Sequence, residues 1–222
     1  MSASDIKFST EVYSARDSLS PWCFCAAKRA FDVVCSILVL ASFLPLMAVV
    51  ALLIKVSSAG PMLFRQTRTG RDGVPFELLK FRTMYHKTDA RLGLTRYGDP
   101  RITPLGRFLR ACKLDELPQF VNVVLGEMSV VGPRPDLPKY WQMLRANEQL
   151  VLSLPPGITG VASLNFRHEE MLLASVAPEQ LENFYVDTLL PQKVQLELQY
   201  AHSASLCSDL KLILRTVLAM IG

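Results

Sequence analysis

From Val33 to Ile54 the chain carries no charged residue. At ~1.5 Å per residue, a helix over those positions is about 33 Å long, enough to cross a bilayer. Such a run is either buried in a large core or given to lipid. A chain of 222 residues has room for one domain plus a small membrane element, but two full domains would be cramped. Half of its residues are hydrophobic, an apolar balance for a soluble protein, so lipid is the expected surrounding. A cleavable signal peptide fits less well, because no small-residue cleavage site follows before Lys55.

Two features favour a hairpin that enters and leaves on one side over a simple span. Lys28 and Arg29 precede the run while Lys55, Arg65, Arg68 and Arg71 follow it, which blunts the charge asymmetry of a spanning helix. Pro45 sits at the middle, where proline deletes a backbone hydrogen bond, and Ser42 can satisfy a freed carbonyl. The residues alone leave span and hairpin both open.

The net charge of +4 is unevenly spread. Residues 55 to 110 hold twelve Lys or Arg against Asp72, Glu77, Asp89 and Asp99, so this stretch is +8 and the rest −4. A basic segment directly after an apolar one suits anionic lipid headgroups or phosphorylated substrates. Nucleic acid is not an expected partner, since no helix-turn-helix, zinc-finger or RNA-binding pattern accompanies the charge. The five cysteines lack framework spacing, which fits a reducing compartment. Cys23-Phe24-Cys25 has no second pair and His86, His168 and His202 are scattered, so zinc is not expected.

Beyond Ala59-Gly60-Pro61 the pattern becomes α/β, helix-rich with short strands. Met62-Leu63-Phe64 and Phe76 to Phe81 read as strands about a turn at Thr69-Gly70-Arg71-Asp72-Gly73, and residues 85 to 104 as a surface loop near the site. Helices are expected over Leu105 to Cys112 and residues 116 to 125, closed by Gly126, with a brief strand at Ser129-Val130-Val131. Pro155-Pro156-Gly157 and Gly160 read as a turn. Helical pattern then returns through Glu169 to Leu173, Pro178 to Thr188 and Lys193 to His202. Leu206, Leu210, Ile213, Leu214, Val217, Leu218 and Ile221 form an apolar stripe at helical spacing, for which a core helix is the simpler reading and a membrane-surface helix the alternative.

Three constellations carry chemistry. Lys113-Leu114-Asp115-Glu116-Leu117-Pro118-Gln119 places two adjacent acids at an expected helix start, where Asp115 is a natural N-cap. Alone, the pair reads as a cap and a dipole-favouring Glu. Arg110, Lys113 and Arg107 change that, because cations beside a helix N-terminus gather phosphates and keep Asp115 ionised. An ionised carboxylate can attack phosphorus, and Glu116, pointing about 100° away on a helix, is placed to hold a divalent ion. In Val131-Gly132-Pro133-Arg134-Pro135 two prolines restrict Arg134, which suits a phosphate clamp as well as a rigid loop. In Lys80-Phe81-Arg82-Thr83-Met84, strand alternation sets Lys80 and Arg82 on one side, toward phosphate or solvent. Arg65 is assigned to lipid headgroups, and Arg68 is left open.

These segments occur in an order that resembles one family. Lys28-Arg29 with Phe31-Asp32, the apolar run broken at Pro45, Gly60-Pro61 with Phe64-Arg65-Gln66, Lys80 to Met84, Leu114 to Gln119, Asn122-Val123, Met128-Ser129 with Val131 to Pro135, and Pro156-Gly157-Ile158-Thr159-Gly160 together resemble the bacterial sugar transferases, the monotopic phosphoglycosyl transferases. The resemblance covers roughly residues 28 to 220. It implies a residue 1–27 segment at the interface, a re-entrant helix-break-helix over 28–57, and a catalytic domain over 58–222 with interfacial amphipathic helices, on the cytoplasmic face of the bacterial inner membrane. It further implies a ping-pong reaction in which Asp115 attacks the β-phosphate of a UDP-sugar, releases UMP and passes the phosphosugar to polyprenyl phosphate. Glu116 then carries Mg2+, and Arg110, Arg134 and Arg167 lie near phosphate. UDP-sugar, polyprenyl phosphate, membrane lipids and a second copy in a homodimer are the partners to test.

The chain departs from the family pattern at three places. Leu44 rather than Ser precedes Pro45, so Ser42 is the expected local cap. Val161 to Glu170 replaces the usual run after the Pro-Gly-Ile-Thr-Gly motif. No multi-span region precedes residue 28, so a minimal catalytic form is expected. Two rival readings remain: a basic membrane scaffold in which Asp115 only caps a helix, and a glycosyl transferase that releases UDP, which the lack of an Asp-X-Asp triplet disfavours.

Overall fold

The computed structural model describes residues 15–85, 95, 97–145 and 148–221. Half of the expected loop over 85–104, including His86, lies outside them, as do residues 1–14 of the N-terminal segment.

Helix α1, Ala26–Ser57, contains the whole apolar run. Cys25 opens it by accepting the amide of Lys28 at 3.4 Å, and Arg82 closes it by donating to the carbonyls of Ile54 at 3.3 Å and Ser58 at 2.7 Å. Its most apolar window, with mean hydropathy 2.9, is only 11 % buried, so α1 is not a core helix. The helix runs through Pro45 without a non-helical turn; the expected break is absent as an interruption of helix. Proline at this position forfeits one internal hydrogen bond, which flanking turns of a long helix tolerate.

Burial along α1 falls at its two ends, at Lys28, Asp32 and Ser36 and again at Val50 and Ile54, while residues 41–46, with Ser42 and Pro45, are all exposed. Both ends rest on the same polar body. That body begins with a hairpin in which β1, Leu63–Thr69, pairs antiparallel with β2, Pro75–Phe81, in the register Leu63↔Phe81 to Thr69↔Pro75. Asp72 at φ 55° and Gly73 at φ 75° make the turn. α2, Pro104–Ala111, is capped by Thr103, whose hydroxyl accepts the Gly106 amide at 2.9 Å. α3, Gln119–Leu125, ends on Gly126 at φ 93°.

β3, Ser129–Val131, lies parallel to β4, Gly157–Thr159, a strand the sequence reading took for a turn. Its leading glycine and short length hide it: a Cβ on Gly157 would sit 2.2 Å from the Gly132 nitrogen, so glycine is what lets the chains approach. The remaining helices are α4, Pro138–Trp141, α5, Val161–Asn165, α6, Glu169–Ala174, α7, Leu181–Phe184, α8, Leu190–Ser203, and α9, Leu206–Ile221. Tyr140, Trp141, Val151, Leu173, Leu189 and Val194 centre the largest core, and a separate cluster seats Val50 and Ile54 of α1 on Phe81, Leu109 and Leu117.

The core-helix reading of α9 is corrected. Leu206, Leu210, Leu214, Val217 and Leu218 are 41–59 % exposed, and the face that packs inward carries Asp209 and Leu212 instead. The inward face is partly polar because Asp209, 1 % exposed, accepts from Trp22 Nε1 and Tyr200 and pairs with Lys28 at 3.1 Å. Lys28 also pairs with Asp32 at 2.6 Å, and Ser129 donates to Asp32 at 2.8 Å. This buried network pins the start of α1 to β3 and α9.

Candidate active site

A cleft of about 910 Å³ is lined by Lys80, Arg110, Asp115, Glu116, Arg134 and Arg167. Six of the residues expected at the site therefore meet. Its floor is made by a short 3-10 turn, Leu114–Glu116, between α2 and α3. Lys113, at φ 54° and ψ 17°, adopts the left-handed conformation that a non-glycine residue rarely holds, and the chain turns sharply there. The expected N-cap role of Asp115 is corrected: α3 begins at Gln119 with Pro118 at the cap position, and Asp115 stands one turn earlier. Asp115 is 5 % exposed, and among the described residues its Oδ1 has no hydrogen-bond partner. An orphaned buried carboxylate oxygen costs stability and is kept where something else requires it.

Asn122 fixes that turn against β2. Its side chain accepts the Leu79 amide at 3.0 Å and donates to the Glu77 carbonyl at 2.8 Å. Lys80, next along the strand, is thereby brought to Glu116, 3.1 Å from Oε1. Arg134 reaches the same oxygen at 2.9 Å from the opposite wall. Its loop is held on both sides, by Gly157 N donating to the Pro133 carbonyl at 2.8 Å and by Arg68 donating to Asp136 at 3.3 Å. Arg68 is thus a scaffold residue, and Arg65 pairs across the hairpin with Glu77 at 3.5 Å.

The two acids titrate in opposite directions. Burial pushes Glu116 up, but Lys80, Arg134 and Lys113 together hold it far below the usual carboxylate range. Burial raises Asp115, the Glu116 charge raises it further, and Lys80, Arg110 and Lys113 only partly offset this. The expected cations do favour the ionised form of Asp115, but burial first and the Glu116 charge second outweigh them. Burial likewise lowers Lys80, and Glu116 raises Arg134.

Arg82 is corrected as a phosphate ligand. β2 ends at Phe81, so alternation no longer governs position 82, and the side chain, 5 % exposed, turns back to cap α1. Lys193 and Glu197 of α8 also line the cleft, and neither was singled out beforehand. The available signal was their four-residue spacing, which puts them on one helical face. Lys193 donates to Glu169 at 2.7 Å and to Tyr185 at 3.4 Å. Glu197, 3 % exposed, accepts the Ala162 amide at 2.9 Å, and burial, only partly offset by that hydrogen bond, raises its pKa to about 8.

Among the described residues no group of three or more His, Cys, Asp or Glu is arranged to hold a metal by itself. Asp115 and Glu116 offer hard oxygen donors, a set that suits an ion sharing its coordination with water and a bound phosphate.

Several characterised proteins are similar to this chain. It is 39 % identical over 202 residues to the UDP-glucose:undecaprenyl-phosphate glucose-1-phosphate transferase of Caulobacter vibrioides, covering 86 % of this chain and 68 % of that protein. The Escherichia coli K12 protein of the same name is 38 % identical over 196 residues, but there the chain spans only 39 % of its relative. Exopolysaccharide production protein ExoY of Rhizobium meliloti is 32 % identical over 210 residues, covering 87 % of this chain and 85 % of that protein. The sequence model for bacterial sugar transferases matches residues 24–222, nearly the whole described fold and all of the cleft, and the chain belongs to that family.

Proposed function

We propose that this protein moves a sugar phosphate from a UDP-sugar to polyprenyl phosphate, with Asp115 as the nucleophile, in the initiating step of surface glycan assembly. The observation that carries the reading is the buried Oδ1 of Asp115, without a hydrogen-bond partner among the described residues, in a cleft that also holds Lys80, Arg110 and Arg134. The activities named for the relatives in Caulobacter vibrioides and Escherichia coli support the substrate pair.

In the first half-reaction an Asp115 oxygen attacks the β-phosphorus. An O–P bond forms as the bond from that phosphorus to the oxygen bridging to the α-phosphate breaks, and UMP leaves with the electron pair. In the second, an oxygen of polyprenyl phosphate attacks the same phosphorus, and the acyl phosphate bond breaks to return Asp115 as a carboxylate. Lys80 and Arg134 hold Glu116 ionised, and Arg110 and Arg134 bind the charge that builds on the transferring group. Glu116, together with Asp115, would hold Mg2+, which would supply charge neutralisation to the diphosphate.

The geometry of α1 supports a re-entrant placement in the inner leaflet of a bacterial inner membrane. A helix that crosses a bilayer puts its ends about 30 Å apart on opposite faces, whereas both ends of α1 are fixed to one domain. The exposed leucine stripe of α9 suits a helix lying at the interface. With cysteines introduced at Ala27 and Ser57 after the native ones are replaced, an impermeant maleimide is expected to label both from the same side of sealed vesicles. Labelling from opposite sides overturns the re-entrant placement.

The reaction is tested by incubating the protein with a panel of UDP-sugars, polyprenyl phosphate and Mg2+ while UMP is assayed. D115N is expected to abolish UMP release and the phosphosugar adduct that mass spectrometry finds on Asp115. Release of UDP points to an ordinary glycosyl transferase, and an adduct on another residue sinks the role of Asp115.

A further inference from the structure

Two cleft cations take partners outside the Asp115–Glu116 turn. Arg110 of α2 donates to Glu170 Oε1 at 3.1 Å, and Lys193 of α8 donates to Glu169 Oε1 at 2.7 Å. The two acids are consecutive at the start of α6, so this short helix is held between cations from two distant parts of the chain. Arg134, dominated by Glu116, also feels Glu169. The negative charge of α6 therefore stands where a bound diphosphate would find its ligands.

Little of α6 is buried. Leu173 is its one buried residue, while Met171 is 50 % and Leu172 41 % exposed. The Glu170 carbonyl accepts the Tyr97 amide at 3.1 Å, which ties the neighbouring loop to the same helix. The Arg110–Glu170 pair is itself partly exposed, at 26 % and 46 % of the two side chains. Ion pairs in that setting contribute little and yield to a stronger anion. A diphosphate is such an anion, with oxygens that match a guanidinium fork.

We propose that Glu169 and Glu170 are internal counter-ions that hold α6 against the cleft in the free protein, and that the phosphates of the donor displace them, so that donor entry and release of α6 are one event. The identity of the donor rests on the transferase reading; the exchange of one anion for another does not.

The test uses the full chain in detergent, with inorganic pyrophosphate as the probe and calorimetry as the readout. Removing one exposed pair is expected to tighten pyrophosphate binding on the order of 5-fold in E170Q, with a larger gain in E169Q/E170Q. Hydrogen exchange across residues 166–176 is expected to rise when pyrophosphate is added to the wild type, and to be high without it in the double variant. E182Q removes an acid paired with Lys139 at 2.6 Å outside the cleft, and controls for net charge by leaving affinity unchanged. E170Q alone, at a half-exposed site, carries the test if the double variant does not fold. Unchanged affinity in E170Q, or exchange in 166–176 that ignores pyrophosphate, overturns the proposal. UMP release by the same preparation separates the two readings: release with unchanged pyrophosphate affinity removes the counter-ion role and keeps the transferase. Tighter pyrophosphate binding with no UMP from any donor does the reverse.

Discussion

Glu116 and Asp115 are neighbours in sequence that differ in what surrounds them: one is gripped by Lys80 and Arg134, the other is buried with an idle oxygen. That grouping was legible in outline, because adjacent acids amid Arg107, Arg110 and Lys113 already mark a candidate site. Which acid takes the cations was not, since Lys80 and Arg134 lie far away in the chain and only folding brings them to one oxygen. Glu197 shows the same blind spot; in sequence it is one more polar residue of an amphipathic helix, while in the fold it faces the amide of Ala162. Its raised pKa has a consequence for stability. Between its ordinary value of 4.5 and about 8 the folded protein holds a proton that the unfolded chain has released. This contribution is greatest below 4.5 and is lost as pH rises through about 8. Thermal unfolding of E197Q is therefore expected to fall less than that of the wild type between pH 6 and pH 9, and parallel curves for the two proteins count against the assignment.

At the scale of elements, the longer helices and the β1–β2 hairpin were readable from periodicity and turn chemistry, whereas the short helices α4 and α5, β4 and the job of Arg82 were not. β4 is three residues long and pairs with a partner 28 positions earlier, as Ser129↔Gly157. No local pattern records such a pairing. Arg82 looked like a site residue because it follows Lys80 by two, but a strand's alternation stops where the strand stops. Its Nη2 instead takes the last carbonyls of α1. R82A is thus expected to lower thermal stability by about 1–3 kcal/mol, the cost of unpaired buried acceptors, while KM for the donor stays within a factor of about two. A large rise in KM with unchanged stability returns Arg82 to the cleft. Gly106 is a second constraint on element packing: a Cβ there would lie 2.0 Å from the Thr83 carbonyl oxygen. G106A is expected to push α2 away and destabilise the protein by about 1–3 kcal/mol, read as a lower unfolding temperature.

Among the described residues the molecule presents apolar surface along the middle of α1 and the outer stripe of α9. Sequence predicted both stripes, yet it could not say that α9 turns its leucines outward, because a helix with a buried Asp209 on its other face has two sides that qualify as inner. Replacing Leu210 and Leu214 by Glu is expected to weaken partitioning into anionic vesicles by at least 10-fold in a flotation assay without changing the unfolding temperature. Loss of folding in that variant places the stripe in the core after all.

One small contact joins the long apolar helix to the candidate site. Arg29 of α1 donates to the carbonyls of Val123 at 2.6 Å and Val124 at 3.0 Å, at the far end of the helix that leads away from the reactive turn. On the re-entrant placement proposed for α1, any tilt that a thicker or thinner membrane imposed on it would pull on α3, and through it on the seat of Asp115, so that bilayer thickness would act as a throttle. Turnover in nanodiscs of short- and long-chain lipid is expected to differ, and R29Q to shrink that difference by cutting the tether.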